Sequence, residues 1–231
     1  MSQRHPGARR ASQGSQDQAD DVFVARVLEA SNWAQGNQQV LTVALVVVAI
    51  LVAGGLYYRS YRAQMNVQAA DQLEGIHQSI ALGDVEGAKI DLATFMDRFG
   101  STAYTGEARL MLGELYLETG SPQQALAVLE PIGASPGDPI EFQAAALLAA
   151  AYEQEERWDD AVRTWLRIAD RSELDFQVRS ARMSAARIHA EQGDVEAAVS
   201  LYEEILQELE ANAPERGTYE MRIEELRARA G

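Results

Sequence analysis

The chain has 231 residues, with 35 Asp and Glu against 20 Lys and Arg, a net charge of −15, and no Cys. That acidic balance is unsuited to nucleic acid or anionic lipid head groups, and the missing Cys removes disulfides, thiolate nucleophiles, thiol-ligated zinc and a lipid-attached Cys anchor. A hydrophobic fraction of 47% supplies one globular or solenoid domain, so the acidic part is not a disordered tail.

Residues 1–19, MSQRHPGARRASQGSQDQA, are rich in Ser, Gln, Gly and Arg and almost lack large apolar side chains. They cannot offset chain entropy by burial and are expected to be a disordered polar tail. Residues 20–36 contain DDVFVARVLEASNW, where Asp20 and Asp21 favour a helix start and Phe23, Val24, Val27, Leu28 and Ala30 share one side. A short amphipathic helix is expected there, either at a membrane surface or as an ordinary surface helix stopped by Gly36. Arg4, Arg9, Arg10 and Arg26 balance Asp17, Asp20, Asp21 and Glu29, so the entire net charge belongs to residues 40–231.

An uncharged run, VLTVALVVVAILVAGGLYY, opens at Val40 and closes at Tyr58, a length of 19 residues. At about 1.5 Å per residue it spans roughly 28 Å, close to the ~30 Å hydrocarbon core of a bilayer. Thr42 is its one strongly polar member and can bond back to its own helix, while Tyr57, Tyr58 and Tyr61 suit an interfacial belt. A cleaved signal peptide normally starts within a few residues of Met1, and a buried core helix shows a polar face. The run therefore reads as a retained transmembrane anchor within residues 37–62. Counting Arg over the whole tail puts the N-terminus inside; counting only Arg26 against Arg59 and Arg62 gives the reverse.

From residue 63 the sequence is helix-forming almost throughout, with Gly and Pro confined to spaced breaks. The breaks align as LGDVEGA at 82–88, TGSPQQA at 119–125, EERWDDA at 155–161 and QGDVEAA at 192–198, and their last alanines lie 37, 36 and 37 residues apart. Such a period marks stacked helical hairpins. In the best copy Leu112, Gly113, Tyr116, Gly120, Ala125 and Leu129 run large, small, aromatic, turn glycine, small, large. The next has Leu148, Ala149, Tyr152, Ala161 and Trp165, with Glu156 in place of the glycine. The last has Ala185, Ala186, Gly193, Ala198 and Tyr202, with His189 at the aromatic position. The first has Gly83, Ala88, Leu92 and Phe95, with Ile76 where a small residue belongs. This pattern resembles the tetratricopeptide repeat. The expected architecture is all-α: one transmembrane helix, then a tetratricopeptide-like hairpin solenoid of about four repeats over 63–213, and a capping helix in 214–231. In that last helix Tyr219, Met221, Ile223 and Leu226 stand among charges.

Chemistry for catalysis is sparse. His5 and His189 have no Glu or His at the spacing of a helical metal motif, His77 has Glu74 three residues before it but no second such pair to complete a site, and Gly54 and Gly55 lie inside the anchor and form no phosphate loop. Asp159 with Asp160, and Glu203 with Glu204, are adjacent, point about 100° apart on a helix and do not converge as an acid and base pair, which leaves them as solvated surface. No enzyme activity, metal or cofactor is expected. First helices of such hairpins line a concave face, which makes Glu107, Leu110, Glu114, Gln143, Ala146, Glu153, Met183 and Arg187 the candidate partner-binding groove, suited to an extended polypeptide with basic and apolar residues.

The lead Trp33-Ala34-Gln35-Gly36-Asn37 into the anchor, and FMDRFGSTAYTGEARLMLGELYLETG at 95–120, are similar to the ancillary SecYEG translocon-subunit family. That resemblance implies a single-pass protein of the inner membrane, N-terminus in and repeats in the periplasm, whose partners are the translocon, an envelope chaperone or unfolded substrates. The expected function is a membrane-anchored, non-enzymatic interaction module assisting secreted or envelope proteins. The alternative is a cytoplasm-facing repeat scaffold for assembly or regulation of a membrane complex.

Overall fold

Each hairpin is closed by the same turn, and the turn explains the repeat. The computed structural model describes residues 37–230. The polar tail at 1–19 and the amphipathic helix expected at 20–36 lie outside the described residues. The helices among these residues are α1 (Gln38–Ala81), α2 (Val85–Phe99), α3 (Thr105–Glu118), α4 (Pro122–Gly133), α5 (Pro139–Gln154), α6 (Trp158–Arg171), α7 (Asp175–Glu191), α8 (Val195–Glu208) and α9 (Arg216–Ala230), with no strand between them. The chain divides into two units, 1–61 and 62–231. In the first unit, α1 carries the apolar run. In the second, the end of α1 shares a core with α2 through Leu73, Ile76, Leu92 and Phe95, then α3 pairs with α4, α5 with α6 and α7 with α8, and α9 closes the stack on α8.

At the end of α3 the Gly120 N–H donates to the Leu117 carbonyl (3.1 Å) and the Ser121 N–H to the Tyr116 carbonyl (2.8 Å). This is a Schellman closure, which needs a left-handed residue just past the helix. The same pair of bonds recurs at Gly83 and Asp84, at Glu156 and Arg157, and at Gly193 and Asp194. The left-handed residue has φ of 84°, 67°, 56° and 81° at Gly83, Gly120, Glu156 and Gly193. Each residue after it is already the N-cap of the next helix. Asp84 and Asp194 accept from the N–H groups of Gly87 (3.0 Å) and Ala197 (3.2 Å), satisfying donors that a helix start leaves open.

With only this left-handed residue between C-cap and N-cap, the two backbones meet within a turn of the closure, so the facing side chains must be small. Ala88, Ala125, Ala161 and Ala198 are all fully buried there. On the opposing helices Ala149 and Ala186 are also fully buried, and a Cβ added to Gly113 would lie 2.5 Å from the Leu129 side chain. Ile76 occupies the matching place in the first hairpin and is buried with Leu73, Leu92, Phe95 and Phe99, so that hairpin accepts a larger side chain at this point. Between α4 and α5 it is backbone that leaves no room: a Cβ on Gly133 would meet the Ala144 and Ala145 backbone at 2.9 Å.

The third hairpin departs from the pattern. Glu156 takes the left-handed conformation without a glycine, and Arg157 replaces a side-chain-capping residue. Arg157 instead pairs with Asp160 (2.5 Å) and stacks its guanidinium over Tyr152, 4.6 Å from the ring centroid. Asp160 also binds Arg163, so one of the adjacent carboxylates expected as plain solvated surface fastens the start of α6. Burial holds the Tyr152 hydroxyl above its ordinary pKa.

In α9, Tyr219, Ile223 and Leu226 fall on one stripe and are buried against Leu201, Tyr202 and Ile205, with the Tyr202 and Tyr219 rings 6.2 Å apart. Met221 lies off that stripe and is 69% exposed.

Two substitutions test this construction. Glu156→Gly removes a left-handed strain of about 1–2 kcal/mol and returns part of it as unfolded-chain entropy, so urea melts should show a gain of about 0.5–1 kcal/mol, while Glu156→Ala should give none. Gly133→Ala, which helix propensity alone would favour, should lose about 1–3 kcal/mol through overpacking, whereas Gly217→Ala, with open space around it, should gain up to about 1 kcal/mol.

Candidate functional site

The eight groove candidates come from three first helices of hairpins: Glu107, Leu110 and Glu114 from α3, Gln143, Ala146 and Glu153 from α5, and Met183 and Arg187 from α7. Glu114 and Gln143 are exposed and Met183 is 40% exposed. Leu110 and Ala146 are half-buried and pack on neighbouring core residues: Leu110 on the cluster of Ala125, Leu129, Ala144 and Leu148, Ala146 on that of Ala145, Ile168 and Ala181. These two fill space between helices as much as they present a surface. Glu107 stands 3.8 Å from His77 on α1.

One pair from different helices is brought into direct contact. The Arg187 Nη2 donates to Glu153 Oε2 at 2.6 Å, across 34 residues of sequence, and the Trp165 Nε1 donates to Glu153 Oε1 at 3.1 Å. Glu153 is thus held by a guanidinium from α7 and an indole from α6, and its side chain is only 18% exposed. Arg187 also pairs with Glu191 at 3.2 Å. The hydrogen bond to Glu153 holds the Arg187 pKa above its ordinary value.

Beyond Arg187 a cleft of about 570 Å³ opens between α7, α8 and α9. Met183, Arg187 and Glu191 form one wall, Tyr202 and Leu226 contribute apolar surface, and Tyr219, Arg222, Glu225 and Arg229 complete it from α9. Arg222 donates to Glu225 at 2.7 Å and Arg229 to its other oxygen at 2.5 Å. Those two guanidiniums, the Arg222 hydrogen bond first, hold the Glu225 carboxyl below the usual carboxylate range. Burial pushes the Tyr202 hydroxyl up. Sequence reasoning assigns α9 only the role of a cap. The Arg222, Glu225, Arg229 spacing of three and four is the visible sign that these side chains share a face.

Among the described residues no three His, Asp or Glu side chains group so as to hold a metal ion. The arrangement offers charged and apolar contact surface on a stack of packed hairpins, which is the equipment of a protein-interaction scaffold. Its class is therefore that of an all-helical repeat scaffold for protein–protein interaction, a fold that typically serves without enzymatic activity. A model of the tetratricopeptide repeat-like domain matches residues 31–228, and the chain belongs to that family. Among solved structures it is similar to the nearly identical TPR-like repeats of a candidate kinesin light chain of Podosopora anserina, with a TM-score of 0.53 and 20% identity over 70% of this chain and 86% of that one. A glutamine-to-methionine variant of those same repeats gives 0.52 and 20%, over 70% and 85%. At that identity the likeness speaks for the fold. No curated protein matches the chain.

Replacing either partner of the Glu153–Arg187 pair should be felt mainly through the other. In a double-mutant cycle of Arg187→Ala and Glu153→Gln, the coupling should be about 0.5–1 kcal/mol by chemical denaturation, and it should shrink when salt is raised, because Arg187 is 46% exposed.

Proposed function

We propose that this protein is a single-pass, membrane-anchored interaction module whose repeat groove engages polypeptides at the outer face of the inner membrane. The observation that carries the reading is the uncovered apolar run in α1. Eleven Val, Leu and Ile side chains from Val40 to Leu56 are 37% to 70% exposed, and none of the run is buried in the fold. Fully burying one such side chain is worth about 1.5–3 kcal/mol, so the half-exposed set represents on the order of 10 kcal/mol of unfavourable hydration, comparable to the whole stability of a domain. A cover is required, and the length suits a bilayer. Within the run, the Thr42 hydroxyl donates to the Gln38 carbonyl at 2.8 Å, so it carries no orphaned donor into lipid.

The family match begins at residue 31 and so takes in the apolar run together with the repeats. The similarity to ancillary translocon subunits supplies the rest of the reading: repeats in the periplasm, a SecYEG-type channel and an envelope chaperone as neighbours, and emerging or unfolded chains as clients. Groove residues Glu107 and Glu114 give basic client segments complementary charge, and Gln143 adds a neutral polar contact.

A single Cys tests the placement, since the chain has no other. Ser121 sits at a turn, and its side chain makes no capping bond. With the outer membrane permeabilised, Ser121→Cys should react with a membrane-impermeant maleimide in intact cells as readily as an exported control. Labelling only after lysis would place the repeats in the cytoplasm and favour the scaffold for assembly of a membrane complex.

A further inference from the structure

At the C-terminal end of the groove two guanidiniums share one carboxylate, a local excess of positive charge in an acidic chain. Its cleft is lined by Arg187, Arg222 and Arg229 with Glu191 and Glu225; Arg187 is taken up by Glu153 and Glu191, which leaves Arg222 and Arg229 around Glu225 as the cationic part, in a protein with 20 basic and 35 acidic residues. Elsewhere on these helices one arginine meets two carboxylates: Arg182 reaches Glu204 and Glu208, and Arg227 reaches Glu203 and Glu224. Arg187 follows the same rule with Glu153 and Glu191, but for Arg222 and Arg229 the ratio is reversed: among the described residues the two share Glu225. Asp160 also holds two guanidiniums, but the depression beside it is about 210 Å³ and includes the carboxylate of Glu130.

Apolar surface lies beside this guanidinium pair. Met183 is 40% exposed at the mouth, and Tyr202, Tyr219 and Leu226 back it. Volumes of about 300–1,000 Å³ with apolar walls and a few polar groups are typical of ligand sites, and two guanidiniums around one carboxylate retain donors for another. We propose that this cleft docks a partner polypeptide through a segment in which Asp or Glu side chains adjoin a bulky apolar one, the carboxylate meeting Arg222 and Arg229 and the apolar side chain resting on Met183 and the tyrosines. The proposal rests on the groove reading and gives it direction. Glu107 and Glu114 repel acidic segments from the α3 end, so a client's acidic stretch is confined to the α7–α9 end.

The test uses the full chain in neutral detergent and fluorescence anisotropy with labelled, C-terminally amidated peptides of about 12 residues, long enough to lie along a groove. One alternates Glu with Leu and Phe, its twin has Gln for Glu, and a third has Lys for Glu. At about 50 mM salt the Glu peptide should bind at least about tenfold more tightly than its Gln twin. Arg222→Gln with Arg229→Gln should abolish that preference, and Arg222→Lys with Arg229→Lys should keep most of it. Equal binding of the Glu and Gln peptides, or a preference untouched by the double Gln variant with unchanged circular dichroism, overturns the proposal. A preference that appears only when the amide is replaced by a free C-terminal carboxylate overturns it too. If the Lys peptide binds while the Glu peptide shows no preference, the cleft proposal fails and the groove reading stands. If none of the three peptides binds, both fail.

Discussion

A single left-handed residue between two antiparallel helices is the constraint on which the rest of the repeat domain depends. It satisfies the last carbonyls of one helix, places the next residue as N-cap of the following one, and leaves no slack between them. The helices are then forced close together, which is why Ala88, Ala125, Ala161 and Ala198 recur at one distance after the turn with no exposed surface. Large side chains follow one helical turn later, where the helices have room: Leu92 and Leu129 are fully buried, and Tyr202 nearly so. Glycine is the natural residue for such a turn, but Glu156 shows that the backbone geometry is the requirement and the residue type a means to it.

Because each hairpin packs only on its neighbours, the stack needs a covered end and offers an exposed face. At the described C-terminal end α9 supplies the cover through Tyr219, Ile223 and Leu226. The same helix turns Arg222 and Arg229 toward the cleft beside α7. One short element thus stabilises the last hairpin and changes the electrostatic character of the surface next to it. The Glu153–Arg187 pair and the Trp165 hydrogen bond tie α5, α6 and α7 together at the edge of that surface. Side chains already held by such bonds lose less freedom when a partner is ordered on them, which favours association.

The turns and the small-residue positions are legible in the sequence because backbone geometry restricts them to few residue types. The period of 36–37 residues leads to the left-handed position at Glu156, although no glycine marks it. Contacts between helices distant in sequence are not legible. Glu153 and Arg187 can be assigned to the same face, but nothing in their spacing of 34 residues announces a salt bridge, or that Trp165 would join it. Met221 and Ile223 illustrate the limit on a single helix: both are apolar, and only the docking direction of α9 decides that Ile223 is buried and Met221 exposed. The division drawn between residues 62 and 63 falls inside α1, which runs from Gln38 to Ala81 with no break in helical structure to mark it.

In the function proposed above, partners are selected by the repeat surface, and the apolar run serves to hold that surface at the membrane. The direct measurement exchanges residues 37–62 for an unrelated single-pass anchor of the same orientation and compares partners captured by site-specific photocrosslinkers at Glu114 and Gln143. The same crosslinked partners, in similar yield, are expected from both anchors. Loss of those partners with the foreign anchor, while the repeats remain folded and on the same side of the membrane, would contradict this and assign selection to the transmembrane helix.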